Sequence, residues 1–401
     1  MSKGDTSAGI LCAISFFSIF PARCQRFGES MALWFFVPAF INGAVASAVY
    51  FILFTTNGPL LASAGAVAAI LVMSGFNHMD GALDTGDALM VRGNRERRKE
   101  ILKDHYLGAG GFGSALIIYL LLFAVLTTFN RNIGAAVIII SEVLSKTSYM
   151  LGLRIGKPLF QDGLFVNFQK IMASQNQAIY VNILILVIIS LLASWIFLIG
   201  SAVALVIYVL IIGNLDRSFG GVNGDILGFS GDALMVRENR ERRKEILKDH
   251  FLGAGGFGSA FIIYLLLFAV LTTFNRNTGA AVIIISEVLS KTSYMLGLRI
   301  GKPLFQDGLF VNFQKIMALQ NQAIYVNILI LAIISLFTSW IFMIGSALAL
   351  VIYVFIIGSL DRSFGGINGD ILGFSGEIAR VLFLVISAML PYVIFHLVAI
   401  A

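Results

Sequence analysis

An all-α, polytopic membrane protein with about eleven transmembrane helices is the predicted fold, a seven-helix parent plus four duplicated helices. Three observations predict it. The chain is 58% hydrophobic and only 12% charged, with a mean hydropathy of +0.90, far from soluble-globular composition. Its apolar runs reach the length of about 20 residues that a helix needs to cross a bilayer. Its cations gather in loops that fall on one side of those runs.

Spanning helices are expected at 32–54, 60–76, 110–129, 134–151, 178–196 and 199–213. A second set follows at 255–274, 279–296, 321–341 and 344–358, and a last span at 378–399. The opening stretch from Ala8 to Phe20 is too short to span and stops at Pro21, which suits an interfacial or re-entrant helix. Arg92, Arg95, Arg97, Arg98, Lys99 and Lys103 share one loop, while the connection around Arg131 is nearly bare. The positive-inside rule therefore turns the basic loops toward the cytoplasm of a cell-membrane protein. The net charge of +6 reflects this topology and is no nucleic-acid footprint. Cys12 and Cys24 lack metal-ligand spacing, and no role is assigned to them.

Directly behind the second span comes Asn77-His78-Met79-Asp80-Gly81-Ala82-Leu83-Asp84-Thr85-Gly86-Asp87. Carboxylates at i, i+4 and i+7 share one helix face. Their repulsion calls for a cation, and hard oxygen ligands suit Mg²⁺ held together with substrate phosphates. Asp80, Asp84 and Asp87 are the expected metal ligands, which points to phosphoryl-transfer chemistry at a membrane surface. His78 beside them is a candidate general base or orienting group. Gly108, Gly110 and Gly111 open a helix where backbone N–H groups attract phosphate; helix–helix packing is the competing reading. Glu142 and Lys146 lie i, i+4 inside an apolar helix and recur as Glu287 and Lys291. They read as a mutually satisfied pair, or with Lys146 as a phosphate ligand. The Gly-rich segments at 219–228 and 364–373 add Asp225 and Asp370, each at a cytoplasmic helix end.

Residues 86–230 recur without a gap as 231–375, with about 13 differences. Removing one copy leaves 401 − 145 = 256 residues, the size of one seven-helix domain. Four spans per copy keep the orientation of everything downstream. The copies are not equivalent: Asp225 aligns with Asp80 and Asp232 with Asp87, but Phe229 stands opposite Asp84. The expected organisation is 1–230 as a near-complete core with the Asp cluster, 231–375 as the tandem copy, and 376–401 as a terminal helix.

Together these residues resemble the cobalamin synthase family, adenosylcobinamide-GDP ribazoletransferase. The motifs are His78 to Asp87, Asp104 to Gly111, Ser145-Lys146, Gly220 to Gly228 with its repeat Gly365 to Gly373, and the opening Ile14 to Pro21. Ala88, where many members carry Gly, is a departure, and so is the duplication. The resemblance implies that adenosylcobinamide-GDP reacts with α-ribazole or its 5′-phosphate, giving adenosylcobalamin or its phosphate and GMP. The substrates and a lipid bilayer are the expected partners, with oligomers possible and no nucleic acid. Chain adjacency favours Asp225 for completing the site, whereas the position of the terminal helix favours Asp370. A CDP-alcohol phosphotransferase and a repeat-built transporter centred on the two Glu–Lys pairs are the rival classes.

Overall fold

The computed structural model describes residues 3–24, 29–91, 95–102, 107–175, 177–228, 254–306, 309–319 and 322–400. Arg92, Lys103, Asp104, Phe229 and Asp232 lie outside the described residues. The described elements are helical, and no strand forms among them beyond two isolated bridging pairs.

Two compact units result, Met1–Val236 with Phe251–Ile262, and Arg237–His250 with Ile263–Ala401. The first carries α1 (Lys3–Phe17), α2 (Phe36–Asn57), α3 (Pro59–Met73), α4 (Asn77–Met90), α5 (Arg95–Ile101) and α6 (Ala109–Thr127). It continues with α7 (Arg131–Ile155), α8 (Leu164–Ser174), α9 (Gln177–Ala193), α10 (Trp195–Phe219) and the single turn α11 (Gly224–Gly228). α12 (Ala254–Leu271) begins in the first unit. The second unit holds α13 (Arg276–Ile300), α14 (Leu309–Leu319), α15 (Gln322–Thr338), α16 (Trp340–Phe364) and α17 (Gly369–Ile400). α17 runs unbroken through the expected boundary at 375/376, so the terminal helix continues the second copy directly.

Seven described helices are long and apolar enough to cross a membrane, and three bent helix pairs raise the number to ten. The expected eleven departs from the seven unbroken spans at four places: 60–76, 178–196 and 321–341 fall in the bent pairs, and 255–274 is short. The run 60–76 ends as a helix at Met73 and turns by 89° into α4. The apolar part of α12, Gly256–Leu271, falls below spanning length.

Small residues set the packing of the first unit. α2 lies on α7, with Gly43 facing Ile139 and Glu142, and Gly134 facing the ring of Tyr50. Tyr50 is fully buried, and its hydroxyl donates to the carbonyls of Leu126 at 3.0 Å and Phe129 at 3.2 Å. Leu126 lies in the last turn of α6 and Phe129 just beyond it, where the end of a helix leaves carbonyls short of i+4 donors. A second focus is aromatic: Phe17, Phe35, Tyr149 and Phe168 are buried edge to face or tilted, with centroids 4.8 Å to 6.5 Å apart. The cysteines left without a role by the sequence are joined there as a disulfide, Cys12–Cys24, which fixes the end of α1 to the chain beyond Pro21. Spacing alone hid this bond because the chain doubles back between the two residues, bringing their Cα atoms to 4.6 Å.

Tyr50→Phe removes one donor from two buried carbonyls. It is expected to cost about 1 kcal/mol of stability, read as a lowered thermal midpoint in detergent; an unchanged midpoint would deny these bonds a structural role.

Candidate functional site

The acidic cluster is positioned by a break in backbone conformation. Gly75 and Phe76 both take left-handed conformations, at φ +64 and +62. A bulky residue there is uncommon and marks a chain forced to turn. Phe76 N bonds back to Leu71 O at 2.9 Å, and Ile19 N reaches Met73 O at 2.9 Å, which closes the end of α3. α4 thus leaves α3 nearly at a right angle, at 89°. It buries Asn77, Met79, Leu83 and Ala88 and keeps His78, Asp80, Asp84 and Asp87 half-buried on the other side.

Asp87 is bound to the start of α6. Its Oδ2 accepts from Gly108 N at 2.7 Å and its Oδ1 from Gly111 N at 2.8 Å. A carboxylate at a helix N-terminus is favoured by both the free N–H groups and the macrodipole. The glycines permit the approach: a Cβ on Gly111 would lie 2.3 Å from Leu83 O, and one on Gly108 2.3 Å from Asp87 Oδ1. Gly86 and Gly110 face one another in the same crossing, each Cβ position 3.0 Å from the other's carbonyl oxygen. The segment expected to cradle phosphate therefore has two of its amides on Asp87.

Asp84 stands in the field of Asp80, Asp225 and Asp87. Burial first, then these three charges in that order of Asp80, Asp225, Asp87, push its carboxyl up to about 8. Asp225 is brought in by a loop built from its own sequence. Asn223 Nδ2 donates to Asp225 Oδ2 at 2.6 Å, while its Oδ1 accepts from Ile226 N at 3.0 Å. The loop is fixed to the segment after α7, where Leu159 N bonds Val222 O at 2.9 Å and Val222 N bonds Lys157 O at 2.7 Å. Gly221 is required because a Cβ would sit 2.6 Å from Leu159 Cα. Asp370 occupies the matching loop of the second unit, with Asn368 Nδ2 on its Oδ2 at 2.8 Å.

His78 and Lys146 meet. Lys146 Nζ lies 2.7 Å from His78 Nε2, 3.7 Å from Glu142 Oε2 and 5.5 Å from the centroid of Phe17. Lys146 is 1% exposed, so its ammonium points inward to this pair. On α5, Arg95 donates to Arg217 O at 2.7 Å and Arg98 to Ser218, so two cations of the basic loop hold the C-terminal end of α10.

Among the described residues no three acidic, histidine or cysteine side chains converge tightly enough to enclose a metal ion. The donor chemistry nevertheless fits a hard divalent cation. Burial, and then the neighbouring carboxylates of Asp80, Asp225 and Asp87, push the Asp84 carboxyl up, the setting in which a cation would be welcome. Mg²⁺ also commonly takes only one or two carboxylates, with waters and phosphates supplying the rest. The structure thus gathers Asp80, Asp84, Asp87 and Asp225 with His78 and Lys146, and places Asp370 in the other unit. Asn223 was missed by sequence reasoning, although the Asn two residues before each loop Asp was the visible signal.

A carboxyl with a folded pKa above its ordinary 3.8 binds its proton more tightly in the folded chain. Stability present at low pH is then lost as the pH rises from 3.8 through about 8 in the absence of divalent cations. The thermal midpoint should fall over this window in the wild type and much less in Asp84→Asn. At the alkaline end, Mg²⁺ should raise only the wild-type midpoint. Gly111→Ala should lower it by overpacking worth about 1–3 kcal/mol.

The family model for cobalamin-5-phosphate synthase matches twice, at residues 9–231 and 230–388. A relative called adenosylcobinamide-GDP ribazoletransferase from Thermoplasma acidophilum is 34% identical over 228 residues, 56% of this chain and 87% of its own. Proteins of the same description from Thermoplasma volcanium and Picrophilus torridus are each 31% identical, covering 86% and 92% of their lengths and 56% of this chain. No solved structure matches.

Proposed function

The chain belongs to the cobalamin-5-phosphate synthase family, and we propose that it joins adenosylcobinamide-GDP to α-ribazole, or to its 5′-phosphate, at the cytoplasmic face of the cell membrane. A ribose hydroxyl oxygen bonds the phosphorus that carries the cobinamide, the bond from that phosphorus to the GMP oxygen breaks, and the hydroxyl loses its proton. Products are adenosylcobalamin, or its phosphate, and GMP. The observation that carries this reading is the crowding of Asp80, Asp87 and Asp225 around Asp84 of α4.

Asp80, Asp84 and Asp225 would hold Mg²⁺, which when bound supplies charge neutralisation to the pyrophosphate and the leaving GMP. Asp87 belongs to the site through its position on the Gly108 and Gly111 amides, which locks α4 to α6. With a carboxylate already on that helix start, a second anion there is opposed. We set the pyrophosphate beside the other three acids, where a bound cation would offset the charge. His78, or an acid of the cluster that is ionised, would take the proton of the attacking hydroxyl. Lys146, held inside, orients His78 across a 2.7 Å contact. The transporter reading, which needs two equivalent midplane pairs, is not favoured. Lys146 is 1% exposed, whereas the Lys291 side chain is 67% exposed.

The test is turnover of adenosylcobinamide-GDP and α-ribazole by the full chain in liposomes with Mg²⁺, following GMP and corrinoid product together. Asp80→Asn, Asp84→Asn and Asp225→Asn should each lower kcat by at least about a hundredfold, and Asp370→Asn should leave it near wild type. A silent Asp225→Asn with an inactive Asp370→Asn would transfer the site to the second loop. No ribazole-dependent GMP release from the wild type would remove the transferase reading.

A further inference from the structure

α7 and α13 are the same helix in sequence except that Ile133 is replaced by Thr278. Their surroundings differ on one stripe. On α7 the stripe of Ala135, Ile138, Ile139, Glu142 and Lys146 is covered. Ser47 bonds Ala135 O at 3.0 Å, Gly43 lies against Ile139, and His78 meets Lys146. Glu142 is 6% exposed there.

On α13 the matching stripe is bare. Ile283 is 51% and Ile284 56% exposed, and the side chains of Glu287 and Lys291 are 50% and 67% exposed. The two charges flank the middle of the span Thr278–Ile300. Lys291 Nζ pairs with Glu287 Oε1 at 3.2 Å, and Arg380 of α17 meets Glu287 and also Glu377, the latter at 3.2 Å. These pairs balance the charge but leave both side chains of the stripe facing outward. Lipid chains cannot solvate them, and ionisable side chains in spanning helices nearly always face protein or water.

We propose that this stripe of Ala280, Ile283, Ile284, Glu287 and Lys291 is an interface on which a second copy of the chain packs, stripe to stripe about a two-fold axis along the membrane normal. The stripe is self-complementary. A carboxylate and an ammonium one turn apart allow each Glu287 to face Lys291 of the partner subunit, while Ile283 and Ile284 pack against their own counterparts. Ala280 lets the two backbones approach. The repeat 231–375 copies 86–230, so it carries no second version of α2 or of the His78 to Thr85 part of α4.

Thiol cross-linking of the full chain in liposomes tests this without any assay of turnover. The native cysteines are bonded to each other, so an added one reacts alone. Ile284→Cys should give a cross-linked dimer, and Ile139→Cys, its counterpart on the covered stripe, should not. Glu287→Lys should lose the dimer in the Ile284→Cys background, and adding Lys291→Glu should restore it. Monomer from Ile284→Cys by cross-linking and by single-molecule photobleaching would overturn the proposal and leave lipid as the occupant. Equal dimer from Ile139→Cys, or a dimer indifferent to Glu287→Lys, would overturn it too.

Discussion

The backbone-to-backbone crossing of α4 and α6 is the constraint on which the rest of the first unit depends. Gly86 and Gly110 bring the helices close, and the Asp87 carboxylate closes the contact across two amides. Without that crossing, α4 would not be held against α6 after the bend at Phe76. The other acids on its face would then have no fixed position relative to α6. The interaction is local, charge-assisted and partly shielded, the setting in which such a hydrogen bond contributes most.

The apolar centres of α7 and α10 were legible as 134–151 and 199–213, whereas their ends, capped at Asn130 and Gly220, lie several residues further out. The bend at Gly75 and Phe76 was not legible. Nothing about Phe favours a left-handed conformation, so the run through 76 looked continuous. The shared face of Asp80, Asp84 and Asp87 followed from spacing alone. What spacing could not show is how the acids divide their partners. Asp87 turns to the glycines, and Asp84 is crowded by Asp225 from a loop distant in sequence. Lys146 and His78 were both singled out, but as separate groups, because their contact depends on how α7 and α4 pack.

The duplication separates what sequence determines from what neighbours determine. The Gly-rich loop folds alike in both copies, pairing Pro158 with Val222 in one and Pro303 with Ile367 in the other. In each, an Asn amide holds the following Asp. Its geometry is therefore encoded within a few residues on either side. The burial of the Glu–Lys pair is not encoded that way, since one sequence yields an enclosed lysine in the first unit and an outward one in the second.

The bond between Cys12 and Cys24 gives the enclosed lysine an unexpected dependence. Phe17, which walls Lys146, lies within the loop that this disulfide closes. Closing a loop of this size restricts the unfolded chain by about 3 kcal/mol in the entropic picture. The wall of the lysine chamber is thus tethered by a covalent bond that thiols can open. The fit of the first helix against α7 then becomes a matter of the redox state of the compartment as well as of packing.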